Sequence, residues 1–322
     1  MKTLGCFKYS KLLSIFLAIT FLFCTITINT ASCAEATEMK GGYPMMVEDF
    51  EVIMLSDGIN QRPVVQQSQL LQGNREKIKD VLERAYPDGQ IEGTVNAFLV
   101  NTGSKLVLID TGNGKMGSPT MGKVIDNLRA AGYQPEQIDE IYLTHMHGDH
   151  VGGLVSGAER AFANATVYAN QREADYWLGD GNRDAAKRTF QAVKETITPY
   201  IRAGMFKTFE GNIQLTSGIR AEALFGHTPG HTAYVIESKG TTLVLWGDII
   251  HVAAVQFEDP SITIAYDSDK DEAATARQQI LAEAVKNNWL IGGAHIAYPG
   301  IGHVQVNGGE YSFLPLDFPA IK

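Results

Sequence analysis

In Thr144-His145-Met146-His147-Gly148-Asp149-His150, three imidazoles and a carboxylate occupy six positions directly after the apolar run Ile141-Tyr142-Leu143. This segment constrains the chain more than any other, because a strand that stops abruptly can aim several donors at one point. Imidazole nitrogen and carboxylate oxygen are the ligands that a borderline cation such as zinc prefers. A polar loop rich in histidine by chance is the competing reading. All eight histidines lie at or beyond position 145 and three fall in this window, which argues for a metal site.

The pattern His145-x-His147-x-Asp149-His150 resembles the signature of the metallo-β-lactamase superfamily of binuclear metallohydrolases. The resemblance continues with His231 in Gly226-His227-Thr228-Pro229-Gly230-His231-Thr232, Asp248 in Leu245-Trp246-Gly247-Asp248, and His295 in Gly292-Gly293-Ala294-His295, so that it runs from about Val95 to His303. It implies that His145, His147 and His231 hold one metal, that Asp149, His150 and His295 hold the other, and that Asp248 bridges them. The implied cofactor is two zinc ions, or other divalent metals, per chain. A hydroxide shared by the two ions would be the nucleophile, since zinc lowers the pKa of its water to about 7. Asp110, in Asp110-Thr111-Gly112, is expected to hold the outer nitrogen of a ligand imidazole. Of the remaining histidines, His227 is expected to be a structural hydrogen-bonder and His251 to pack beside the site. His295 is preferred to His303 as the last ligand.

An aspartate at 248 turns the resemblance away from the cysteine-containing β-lactamases and towards lactonases, thioesterases, phosphodiesterases and organophosphate hydrolases. The stretch Gly247-Asp248-Ile249-Ile250-His251-Val252-Ala253-Ala254-Val255-Gln256-Phe257, with Asp259-Pro260-Ser261, Asp267-Ser268-Asp269 and Pro299-Gly300-Ile301-Gly302-His303, is similar to the methyl parathion hydrolase branch. That similarity implies hydrolysis of phosphotriesters or activated esters, with a lactonase, including one for acyl-homoserine lactones, as the alternative. Trp177 is expected to line an aromatic pocket for the leaving group. A non-catalytic metal-binding protein is the reading from another class, and the complete ligand set argues against it.

Lys2, Lys8 and Lys11 precede the apolar segment from Leu12 to Ile28, and Ser32-Cys33-Ala34 offers small residues for cleavage. Residues 1–34 therefore read as a signal peptide, which places the protein in the periplasm or outside the cell with no membrane span after cleavage. Lipidation at Cys33 is the lesser alternative. Cys6, Cys24 and Cys33 all precede the cut, so no thiolate remains to act as ligand or nucleophile. Removing three lysines and no acid takes the formal charge from −9 to −12. An acidic surface repels phosphate backbones, so nucleic acid is excluded and a small-molecule substrate expected. The resemblance also implies a homodimer.

Residues 35–49 read as an arm or linker, and 50–322 as one hydrolase domain. Strands are expected at Phe50 to Leu55, Val95 to Val100, Lys105 to Ile109, Asp139 to Leu143, Thr166 to Ala169, Ile219 to Phe225, Ala233 to Glu237 and Thr241 to Trp246. Helices are expected at Met121 to Ala131, Gln171 to Leu178, Asp184 to Ile201 and Lys270 to Asn287, with a long polar excursion from Ile59 to Gly93. This pattern alone gives an α/β domain. The resemblance makes it an αβ/βα four-layer sandwich, two mixed sheets flanked by helices, with the metals at one edge.

Overall fold

Side-chain alternation along the second strand decides the layering: Val52 and Met54 point to one side, Ile53 and Leu55 to the other, and all four are buried. A sheet buried on both faces needs a layer on each. The computed structural model describes residues 42–179 and 187–317. The expected signal segment 1–34, with Cys6, Cys24 and Cys33, lies outside the described residues.

Seven strands, β1 (Tyr43–Val47), β2 (Phe50–Pro63), β3 (Gln90–Asn101), β4 (Leu106–Ile109), β5 (Glu140–Tyr142), β6 (Thr166–Asn170) and β7 (Phe206–Phe209), form the first sheet in that order. The first four are antiparallel neighbours; β4 to β7 run parallel. The second sheet repeats the scheme with β8 (Ile213–Thr216), β9 (Ile219–Ala223), β10 (Thr232–Ser238), β11 (Thr241–Leu245), β12 (Leu290–Gly292), β13 (Ile301–Asn307) and β14 (Glu310–Pro315). Only β11 and β12 are parallel there. Eight helices accompany the sheets among the described residues: α1 (Val64–Leu70), α2 (Arg75–Ala85), α3 (Val124–Ala130), α4 (Gly148–Val151), α5 (Gln171–Leu178), α6 (Lys187–Arg202), α7 (Ala253–Glu258) and α8 (Lys270–Asn287).

Three apolar layers hold the sandwich. Val52, Met54, Phe98, Val107 and Tyr142 meet Ala221, Tyr234, Ile236, Leu243 and Leu245 between the sheets. Ile53, Leu99, Leu108 and Ile141 pack outward against Leu128, Trp177, Val193 and Ile197. On the far side Val235, Val244 and Ile291 meet Ile280, Leu281 and Ala284 of α8. That helix has the bounds its sequence predicts, because the Asp269 side chain caps Glu272 N–H and Asn288 ends it in the left-handed conformation.

Three expectations are corrected. The described part of the arm is strand β1, paired with β2. The polar excursion is shorter than expected: β2 continues past a register shift between Ser56 and Ile59 and pairs with β3 as far as Pro63 opposite Gln90. Those residues border water on one face, so they lack the apolar alternation that marks a strand. Helix α3 starts at Val124 rather than Met121, because the buried carboxylate of Asp57 takes the N–H groups of Asn113, Gly122 and Val124 and holds the preceding turn open. Among the described residues no helix is long and apolar enough to cross a membrane.

Candidate metal centre

Four strand ends meet at one edge of the sandwich. β5 leads into His145 to His150, β9 into His227 and His231, β11 into Asp248 and β12 into His295. Each side chain leaves a segment that has just stopped making ladder hydrogen bonds, so it can turn towards the gap between the sheets. Gly152 and Gly153 let the β4 loop close over the first motif: a Cβ on either would lie 2.0 Å from the carbonyl oxygen of Asn113 or Thr111.

The donor atoms of His145, His147, His227 and Asp248 lie within 4.8 Å of one another, as do those of Asp149, His150 and His295. Asp248 stands between the groups. Its Oδ1 is 3.1 Å from His150 Nε2; its Oδ2 is 3.1 Å from both His251 Nε2 and His295 Nε2 and 3.3 Å from His227 Nε2. Burial alone would raise the Asp248 carboxyl, but His295, His150 and His145 around it hold it well below the usual carboxylate range.

The outward nitrogens are tethered. His150 Nδ1–H donates to Asp110 Oδ2 at 2.8 Å, His227 Nδ1–H to Asp267 Oδ1 at 2.9 Å, and His295 Nδ1–H to the Thr94 carbonyl at 2.8 Å. Each tether fixes the tautomer that leaves Nε2 as a lone-pair donor facing the cluster. Asp110 also accepts from Thr144 N–H and Thr144 Oγ1–H, which fixes the start of the motif.

Buried polar atoms without partners test whether a cation fits. His150 Nε2, Asp248 Oδ1 and both ring nitrogens of His251 are buried and make no hydrogen bond among the described residues. Such groups are costly unless something satisfies them. A divalent ion does so at His150 and Asp248, and the nitrogen and oxygen donors suit zinc. The residues present fit a pair of such ions.

His227, not His231, completes the first group. Both nitrogens of His231 are taken by backbone: Nδ1–H donates to the Leu224 carbonyl at 2.9 Å, and Nε2 accepts from Asp248 N–H at 3.1 Å. Burial lowers the His231 pKa to about 3, which keeps the ring neutral and able to accept. The expectation for these two histidines is reversed, because the turn at Pro229-Gly230 sends the first inward and the second beneath Asp248. His303, by contrast, donates to the Trp289 carbonyl from β13.

Trp177 is also placed differently. It is 3% exposed, packs on Phe190 and meets the His147 ring edge-on at 5.4 Å. Its Nε1–H donates to Glu173 Oε1 at 2.6 Å. Glu173, which sequence did not single out, is buried and also accepts from Met146 N–H at 2.9 Å and Gly230 N–H at 3.0 Å. One carboxylate thereby ties the loop bearing His145 and His147 to the loop bearing His227. A cleft of about 470 Å³ opens over the cluster. One wall is Arg62, Gln66, Gln67, Leu70 and Tyr266; the floor includes His147, Asp149, Asp248, His251 and His295. Trp177 is not among the residues lining it.

Comparison with known proteins agrees with this geometry. The profile of the family described as the Metallo-beta-lactamase superfamily matches residues 91–295. The structure of a hydrolase, AbOPH, in the beta lactamase superfamily superposes with a TM-score of 0.79 at 35% identity, over 87% of this chain and 98% of that one. AidC, a dizinc quorum-quenching lactonase, superposes with a TM-score of 0.80 at 25% identity, over 87% and 99%. An N-acyl homoserine lactonase of Bacillus cereus is 28% identical over 147 residues, 46% of this chain. The match spans about half the length of that relative, 52%.

Proposed function

The chain belongs to the metallo-beta-lactamase superfamily, and from that membership we propose that it is a binuclear metal-dependent hydrolase that opens lactones or cleaves activated esters. The observation that carries this is the convergence of seven donors from four strand ends, with His147, Asp149, Asp248 and His295 facing one cleft and His145, His150 and His227 buried behind them. His145, His147 and His227 would hold one divalent ion and Asp149, His150 and His295 the other, with Asp248 standing between the two groups. Zinc is the first candidate. Bound there, such a pair supplies an activated water near neutral pH and Lewis-acid polarisation of the electrophilic oxygen. The chain's own residues do the rest. Asp110, Asp267 and the Thr94 carbonyl hold three imidazoles in their ligating tautomers, while Glu173 fixes the distance between the two loops that serve the first ion.

Lactones come before phosphotriesters for two reasons. AidC and the Bacillus cereus relative are lactonases by name. The aromatic expected to hold an aryl leaving group, Trp177, is committed to Glu173 and the core. Turnover of an acyl-homoserine lactone panel against methyl paraoxon, with metal-loaded protein, tests the order: lactones are expected to be cleaved, and cleavage of the phosphotriester alone would reverse it. Asp248→Ala should abolish most activity and metal binding while the far-ultraviolet spectrum stays that of the parent. A protein that only binds metal would have no activity to lose. We propose export on the basis of the N-terminal segment alone; mass spectrometry of the mature chain should find Glu35 or its neighbours first, with an acylated Cys33 as the other outcome.

A further inference from the structure

The cleft wall carries an arginine without an anionic partner. Arg62 lies near the end of β2 and also borders the two smaller hollows that adjoin the cleft. Its Nε–H donates to Asn60 Oδ1 at 3.0 Å, and no carboxylate lies within ion-pairing distance of it among the described residues. Arg84 pairs with Glu258, Arg129 with Asp126, Arg220 with Glu222 and Arg277 with Asp267, whereas Arg75 and Arg160, like Arg62, donate to neutral acceptors. Arg62 differs from those two in lining the cleft beside the donor cluster.

Its position is built. Asn60 pairs across the ladder with Gly93, and Arg62 follows on the same face. A Cβ at 93 would come within 2.2 Å of Asn60 Oδ1 and 2.6 Å of Arg62 Nε, so glycine makes the room in which the asparagine holds the arginine. Fixing Nε leaves the two Nη groups as a planar fork, which matches the two oxygens of a carboxylate. Gln67 and Tyr266 border the same space and add further polar groups.

We propose that Arg62 is a specificity-determining residue that binds a carboxylate on the substrate, remote from the bond that is cleaved. The preferred substrate is then a lactone or ester whose acyl part ends in an anionic group. The kinetic half of this proposal rests on the hydrolase reading above; the recognition half does not.

Two matched carboxylic acids separate the halves. Glutarate and 5-methylhexanoate share one carboxylate and a three-methylene spacer, and differ in whether the far end carries two oxygens or two methyls. In calorimetric titration of the metal-loaded protein, glutarate should bind at least tenfold more tightly. Arg62→Met should erase that preference with unchanged metal content, and Arg62→Lys should keep part of it, as a point charge without the fork. Equal binding of the two acids by the parent protein, or a preference that survives in Arg62→Met, overturns the assignment. The 4-nitrophenyl monoesters of the same acids then report turnover. A binding preference without turnover of either ester would sink the hydrolase reading and leave the recognition role standing.

Discussion

Asp110 sits at φ +60° with both carboxylate oxygens committed, one to Thr144 N–H and the other to Thr144 Oγ1–H and His150 Nδ1–H. Asparagine at this position must present an NH₂ group where one of those donors points. Asp110→Asn should therefore lower metal affinity by about 10- to 100-fold, read by competition with a chromogenic chelator. His227→Ala and His231→Gln separate the paired histidines of one turn. The first should lose about one equivalent of metal by elemental analysis, whereas the second should retain both. His231 also carries a pH signature. Burial holds its folded pKa near 3 while the unfolded chain protonates near 6.5, so the unfolded state binds more protons in that window and stability falls as pH drops. The loss is at most about 1.4 kcal/mol per pH unit, and His231→Gln should flatten it in urea unfolding of the metal-free protein at pH 7 and pH 5. At this scale the sequence was legible where ligands crowd together, as from His145 to His150. It was not where two histidines share a turn, since three residues with a Pro-Gly reversal separate the one that faces the donor cluster from the one beneath the Asp248 backbone. Asp57, Glu173 and Asp267 were unreadable as hubs, because a lone acid in sequence looks the same whether it meets water or a set of buried N–H groups.

Between elements, buried carboxylates replace apolar contact as the tie. Asp57 accepts from three backbone N–H groups and Asn113 Nδ2–H, and thereby fastens the loop after β4 to the entry of α3. Glu173, at the start of α5, fastens two ligand loops to each other. Removing either leaves several donors stranded, so Asp57→Ala and Glu173→Ala should each cost about 3 kcal/mol or more, seen in denaturant unfolding with an unchanged m-value. Only Glu173→Ala should also weaken the metal site on the His227 side. Elements with a full apolar stripe and caps were readable to the residue: α5 and α8 have their expected bounds, and Ala273, Ala276, Ile280, Leu281 and Ala284 face the core as their spacing implies. Arg277 shares that stripe, which a hydrophobicity pattern does not foresee. It is buried because its guanidinium donates to the carbonyls of Ile249, Pro260 and Ile262. The end of β2 was lost for the opposite reason, a strand whose residues are polar because one face borders the cleft.

For the whole molecule, the ion pair would act as a clasp across the two sheets, since His145 to His150 follow the first sheet and His227, Asp248 and His295 belong to the second. Chelation should leave the core intact but lower Tm. An ion at a hundred times its Kd contributes about 2.7 kcal/mol, which for a chain of this size is a shift of roughly 4–5 °C; calorimetry with and without added zinc measures it. Each sheet is also assembled from strands consecutive along the chain, and the crossing occurs once, in the turn between Phe209 and Ile213. A cut in that turn would yield two fragments, each with four or three of the seven ligands and neither with a working centre. Fused to a pair of proteins under study, the halves would regain turnover only when those proteins met, and the crossing turn thus marks where this enzyme could be divided into a two-piece reporter.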